Sequence, residues 1–111
     1  MINTNNLNWM IYGANGYTGE LIAREAVRQG LKPILAGRNQ AKVAELAQEL
    51  GLEFRAFGLD EVTQSSKQLE GLHLVMHCAE PFSSTSKPMM QACINAGAHL
   101  YSVRMLFSGV A

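Results

Sequence analysis

Three glycines spaced three apart, Gly13, Gly16 and Gly19, stand in the run Gly13-Ala14-Asn15-Gly16-Tyr17-Thr18-Gly19, directly behind the apolar tetrad Trp9-Met10-Ile11-Tyr12. The chemistry such a run can do is to hold a pyrophosphate. Gly13 can make the tight turn out of a strand. Gly16, with no Cβ, lets a phosphate approach the backbone, and Gly19 lets the following helix pack close to the sheet. The helix start then presents N–H groups without intrahelical partners and the positive end of the helix dipole to the anion. A dinucleotide is the ligand this arrangement predicts, with Gly13, Ala14, Asn15, Gly16, Tyr17, Thr18 and Gly19 around its diphosphate. The strand before the loop and the helix after it supply the context that the motif needs to be informative. A glycine-rich turn serving only helix–sheet packing is the alternative.

The residues ending the second apolar run, Gly37-Arg38-Asn39, bear on which dinucleotide is bound. NAD-binding sites of this kind place an acidic residue there to accept hydrogen bonds from the ribose hydroxyls. This chain offers no acid at that point, and the Arg38 guanidinium can grip a 2′-phosphate through two hydrogen bonds. NADP(H) is therefore the expected cofactor, with Arg38 and Asn39 at its adenosine end and Lys42 able to add charge one helical turn on. Asp60 either accepts a hydrogen bond from the adenine amino group or caps the next helix. Cys78-Ala79-Glu80-Pro81-Phe82 ends the fourth apolar run, so Cys78, Ala79 and Pro81 are expected beside the diphosphate and nicotinamide ribose. Glu80 stands out there, since an anion near a diphosphate is unfavourable unless it points away. His77 reads first as a core histidine rather than an acid or base, Ser83 to Ser86 as turn and cap residues, and Met89-Met90 as core.

No catalytic residue is assigned. Tyr12, Tyr17 and Tyr101 are followed four residues later by Gly16, Leu21 and Met105, so no Tyr-x-x-x-Lys pair exists. Neither a Ser/His/Asp arrangement, nor a zinc ligand set, nor a carboxylate pair is recognisable. Cys78 and Cys93 form no CxxC pair and sit in apolar surroundings, which predicts buried, reduced thiols.

Alternating elements must position these residues. The patterning predicts strands over 9–14, 32–37, 53–59, 72–79 and 99–103. It predicts helices over 17–29, from an Asn39 cap to Gly51, over a weak polar stretch 61–69, and from Ser83–Ser86 to Gly97. In the first helix Leu21, Ile22, Ala26 and Val27 form the expected apolar side, and Glu20, Arg24 and Arg28 the solvated one. Strict alternation implies right-handed crossovers and a parallel sheet covered on both faces. The expected fold is α/β, a Rossmann-type doubly wound sheet in three αβα layers with strand order 3-2-1-4-5. Its ligand crevice lies outside the carboxyl ends of strands one and four.

The 111 residues suffice for one modest domain. Nearly half are apolar (48%) and the formal net charge is zero, which suits a globular core and gives no sign of a nucleic-acid surface. No apolar stretch reaches the roughly 18 residues a membrane span requires. The polar, uncharged start does not read as a signal peptide, and the expected location is cytoplasmic. Residues 1–7 are read as a flexible lead-in, 8–103 as the nucleotide-binding domain and 104–111 as a divergent tail.

Four motifs in order carry a family resemblance over about residues 8–99: Tyr12 to Gly19, Leu35-Ala36-Gly37-Arg38, His77-Cys78-Ala79-x-Pro81-Phe82, and Ala92-Cys93 with Ala96-Gly97-Ala98-His99. Together they resemble the N-terminal NADP-binding domain of saccharopine dehydrogenase-like oxidoreductases, a group that includes trans-acting enoyl reductases. The resemblance implies hydride transfer between NADPH and an imine or conjugated alkene in a full-length enzyme. Members usually carry Gly where Glu80 stands. After His99 they continue Tyr-Leu-Asp and then a Thr-Gly-Glu or Ser-Gly-Glu turn, whereas this chain reads Leu100-Tyr101-Ser102-Val103-Arg104 and departs. That departure reads as a truncation or a shifted frame near residue 99, with the substrate half absent. A small-molecule substrate is then expected only where a second domain or chain is supplied. A non-enzymatic NADP-binding module, or a remnant needing a partner chain, is the alternative. A fifth strand left at the sheet edge invites self-association.

Overall fold

In the computed structural model the described residues are 8–79 and 82–103, with the backbone alone for Phe82 and Ser83. Five strands alternate with four helices: β1 (Trp9–Tyr12), α1 (Tyr17–Arg28), β2 (Ile34–Gly37), α2 (Gln40–Leu50), β3 (Phe54–Ala56), α3 (Val62–Gln68), β4 (Leu74–His77), α4 (Phe82–Ala96) and β5 (His99–Ser102). All strand pairs are parallel and the order is β3-β2-β1-β4-β5, the doubly wound order of a Rossmann-type fold. The chain reverses its winding between β1 and β4, and the register sets Tyr12 opposite both Ala36 and His77. The carboxyl ends of the three central strands therefore meet at one rim, where the crevice of such a sheet opens.

Side chains alternating along β1 feed two cores. Trp9 and Ile11 join Ala23, Ala26, Leu35, Val43 and Leu46 on the α1–α2 face. Met10 and Tyr12 join Leu69, Val75, Met89, Ala92 and Cys93 on the α3–α4 face. Burial of β1 on both faces explains its unbroken apolar run.

Every strand is shorter than the apolar pattern suggests. The ladder of β4 stops at His77, yet Leu72 and Cys78 on either side of it stay buried, as does Leu59 beyond β3. Apolar residues report burial, and burial continues where the chain has already left the ladder. α1 differs in a second way. Its buried residues are the small Gly19, Ala23 and Ala26, so the helix lies close to β1 and β2, while the larger Leu21 is pushed outward and stays 49% exposed. In α4 Met89 is core as expected, whereas its neighbour Met90 and the next-turn Ile94 are exposed, with Ile94 66% accessible.

Helix ends follow their capping chemistry. The Asn39 side chain accepts from the Lys42 N–H at 3.1 Å, and α2 stops at Gly51, whose φ of 72° is the left-handed conformation that glycine adopts without cost. α3 is capped by Glu61, which accepts from the Thr63 N–H at 3.3 Å. Capping by Asp60, one of its two expected roles, is thereby excluded. Pro88 lies inside α4 and has no N–H to donate to the Ser84 carbonyl one turn back. β5 forms one edge of the sheet among the described residues, and its Tyr101 is 60% exposed.

Candidate functional site

The glycine run folds so that each of its three glycines meets a different limit. Gly13 leaves β1 with φ 87°, and a β-carbon there would stand 2.6 Å from the Ala79 nitrogen and 2.7 Å from the Ala79 Cα. The end of β1 and the end of β4 thus touch backbone to backbone. Gly19 packs on the loop itself, because a β-carbon would overlap the Gly13 carbonyl oxygen and lie 2.8 Å from the Ala14 Cα. Gly16 is the opposite case. Its conformation, φ −81° and ψ 169°, suits any residue, and a β-carbon would meet nothing nearer than the Gly13 oxygen at 3.4 Å. The space above Gly16 is open, and a side chain would fill it.

Gly16 is the N-cap of α1, and no side chain caps this end. The first helical bond runs from the Glu20 N–H to the Gly16 carbonyl at 2.8 Å. The N–H groups of Tyr17, Thr18 and Gly19 precede it, as the first turn of any helix requires. Glu20, the acidic residue of that turn, is held by Arg24 at 2.9 Å. Opposite the loop, the Gly13 and Ala14 N–H groups both donate to the Ala36 carbonyl, at 2.8 and 3.0 Å. The loop is thereby pinned to β2.

These features line a cleft of about 610 Å³ along the carboxyl rim of the sheet. Its middle is the glycine loop, with Gly13, Asn15, Gly16, Tyr17 and Thr18 on the wall. Its β2–β3 end carries Arg38, Asn39 and Asp60, and its β4–α4 end carries Cys78, Ala79 and Thr85. Ten of the thirteen residues proposed from sequence thus share one cavity. Ala14 is fully buried and Gly19 is buried against the loop, so both shape the wall from behind it. Pro81, together with Glu80, lies outside the described residues.

Four contributors were not legible in the sequence. Gly37 ends β2 beneath the Asn15 side chain, and a β-carbon there would lie 2.8 Å from Asn15 Oδ1 and 2.9 Å from Val43 Cγ2. The Tyr12 hydroxyl donates to the Phe57 carbonyl at 2.7 Å, and the two rings stand 5.0 Å apart. This ties the segment after β3 to the rim. Burial pushes the Tyr12 phenol up to about 12, with Arg38 lowering it and Asp60 raising it. The buried Ser65 hydroxyl bonds the Gly58 carbonyl at 2.9 Å and the Glu61 carbonyl at 3.1 Å, holding the turn that brings Asp60 to the cleft. Thr85, read from sequence only as a turn or cap residue, lies on the cleft wall within 2.9 Å of His77 Nε2. Gly37 and Tyr12 act through partners distant in sequence, Asn15 and Phe57, whereas Ser65 and Thr85 act through nearer ones that only the folded turns bring into contact.

Arg38 and Asp60 face the same end. The Arg38 Cδ and the Asp60 Oδ2 each come within 3.6 Å of the point where a Gly58 β-carbon would stand. Both side chains are exposed, and no ion pair within 4.0 Å engages Arg38 among the described residues. The cysteines match their expected state: both are free and buried, and burial pushes each thiol up to about 11. No cluster of three metal-ligating side chains occurs among the described residues, and none of their helices is long and apolar enough to cross a membrane.

Among known proteins, a human (Homo sapiens) saccharopine dehydrogenase-like oxidoreductase is 22% identical over 114 residues, an alignment covering 80% of this chain and 25% of the relative. The chain therefore spans about a quarter of that relative's length. L-Glu-forming saccharopine dehydrogenase from Saccharomyces cerevisiae superposes with a TM-score of 0.77 at 14% identity, covering 91% of this chain and 22% of that one. Triphenylmethane reductase from Citrobacter sp., solved in complex with NADP(H), superposes with a TM-score of 0.69 at 20% identity, covering 92% of this chain and 39% of that one. At such identities the two superpositions establish the fold alone. The family itself is fixed by sequence, since residues 9–105 match the saccharopine dehydrogenase NADP binding domain. The chain belongs to that family of NADP(H)-binding domains.

Proposed function

We propose that the cleft seats NADP(H) with its diphosphate over Gly16 and the first turn of α1, its 2′-phosphate at Arg38 and its nicotinamide toward Ala79 and Thr85. The observation that carries this reading is the single cleft joining an open glycine cradle to an exposed guanidinium at the end of β2. A dinucleotide lying across the rim reaches β2 on one side of the loop and β4 on the other, as the strand order requires. Asn39 flanks the adenosine end, and Asp60 is placed to accept from the adenine amino group. Cys78 and Ala79 line the far end, with Pro81 following.

When bound, the nicotinamide supplies or accepts a hydride, and the protein's part is to hold and orient it. The chemistry proposed for the polypeptide as a whole is hydride transfer between NADPH and an imine or conjugated alkene. Among the described cleft residues, Tyr12 and Cys78 hold their protons to about 12 and about 11. Neither is suited to exchange a proton near neutral pH. The chain spans about a quarter of its human relative, and substrate contacts are assigned to a further domain or a partner chain. The same observation favours a second reading, an NADP-binding module that senses cofactor without turning it over. β5, an edge of the sheet among the described residues, is a candidate for self-association in either case.

Calorimetric titration with NADPH and then NADH tests the proposal. Tight NADPH binding with weak NADH binding is expected. Equal affinities, or no binding by a folded chain, would overturn it. A chain that binds NADPH and reduces neither an imine nor an enoyl substrate until a second chain is added would separate cofactor binding from turnover.

A further inference from the structure

The β4–α4 end of the cleft carries a buried polar relay that the cofactor reading does not require. His77 ends β4 and is fully buried beneath the cleft wall. Its Nε2 lies 2.9 Å from the Thr85 Oγ1, and that hydroxyl donates to the Ala79 carbonyl at 3.3 Å. A threonine hydroxyl has one proton. It goes to the Ala79 carbonyl when His77 Nε2 carries a hydrogen, and can go to Nε2 when it does not. The contact joins the end of β4, with Ala79 just beyond it, to the start of α4. The relay also reaches the glycine loop, because the Ala79 backbone is the surface against which Gly13 packs.

We propose that the His77–Thr85 pair is a positioning device for the nicotinamide half of the cofactor. It fixes the separation between Ala79 and α4, which together wall that end of the cleft. Arg38 and Asp60, proposed for the adenosine half, line the opposite end of the cleft across the glycine loop. Burying a polar ring costs free energy that a hydrogen bond offsets, and the Nε2 contact with Thr85 supplies one here. The proposal rests on the NADP(H) reading above.

The test uses the whole chain and two probes, NADPH and 2′,5′-ADP, the latter carrying the adenosine half and its 2′-phosphate alone. Thr85→Val keeps the shape and removes the hydroxyl, and His77→Phe removes the ring nitrogens from beneath the cleft wall. Each is expected to weaken NADPH about fivefold, the scale of one hydrogen bond. Binding of 2′,5′-ADP should stay within about twofold in the same variants, because the adenosine end is untouched. Thr85→Ser and His77→Gln, which keep the hydroxyl and an N–H donor, should restore NADPH binding. The double variant should lose no more than the worse single one, because the two residues act as one unit. Equal losses on both probes, or unchanged NADPH binding in folded Thr85→Val, would overturn the proposal. Should either primary variant fail to fold, His77→Gln and Thr85→Ser decide: a selective loss of NADPH in both refutes the hydrogen-bond account, and retention supports it. Wild-type chain that binds neither probe refutes the cofactor reading itself, a result distinct from every variant outcome.

Discussion

Replacing Arg38 by alanine is expected to separate the two nicotinamide cofactors. The side chain is exposed at the cleft end, with no ion pair within 4.0 Å among the described residues to tie it elsewhere. A bound 2′-phosphate gains its hydrogen bonds without breaking an existing one. Hydrogen bonds to a charged group contribute about 1.5–3 kcal/mol. At about 1.4 kcal/mol per decade, this corresponds to roughly a tenfold to 150-fold rise in the NADPH dissociation constant. Two features pull toward the lower figure. The site is open to water, and Asp60 presents a carboxylate to the same end, close to where the Arg38 methylenes pass Gly58. NADH lacks the 2′-phosphate and should bind the variant as it binds the wild type. Calorimetry at low and moderate salt measures both: the NADPH loss should be largest at low salt, since exposed charges are screened. Equal weakening of NADPH and NADH would show that Arg38 shapes the cleft without gripping the phosphate, and would refute the reasoning.

Gly16→Val places a side chain in the open cradle and should abolish NADPH binding with little change in melting temperature, whereas Gly19→Ala should cost about 1–3 kcal/mol of stability through overpacking against Gly13 and Ala14. Thermal denaturation and titration together distinguish the two effects, and a folded Gly16→Val chain with wild-type affinity would refute the cradle. Tyr12→Phe removes the bond to Phe57 and should cost about 1 kcal/mol at neutral pH. The Tyr12 phenol is raised above its unfolded value of 10.0 to about 12, so its contribution is complete below pH 10 and lost as the pH climbs toward 12. Denaturant unfolding near pH 9 and pH 11.5 should show a steeper alkaline loss for wild type than for Tyr12→Phe. Both cysteines, buried with thiols raised to about 11, should resist iodoacetamide at neutral pH in the native chain. Intact-mass measurement checks this, and rapid alkylation under native conditions would show the cores to be open.

Much of the scaffold was legible in the sequence because its signals are local. Glycine spacing marks the loop, Asn39 and Gly51 bracket α2, and alternation of apolar runs with capped helices specifies the strand order. The outward turn of Leu21 was not legible, because the face of α1 that packs on the sheet is set by small Gly19, Ala23 and Ala26 rather than by large residues. Hydrophobic patterning favours Leu and Ile, while close helix–sheet packing favours the absence of bulk. Asp60 illustrates a second limit. Two adjacent acids, Asp60 and Glu61, are chemically equal candidates for the cap, and the backbone turn held by Ser65 selects Glu61. Gly37 illustrates a third, since its role depends on Asn15, which lies above it only after β1 and β2 pair.

The register that brings Tyr12, Ala36 and His77 level gives the molecule a front and a back. The ten cleft residues assigned to the ligand lie at the front, and the returns from helix to strand lie at the back. Lys32, exposed just ahead of β2, stands on that rear side. A surface tether or a reporter dye placed there leaves the cleft facing solution.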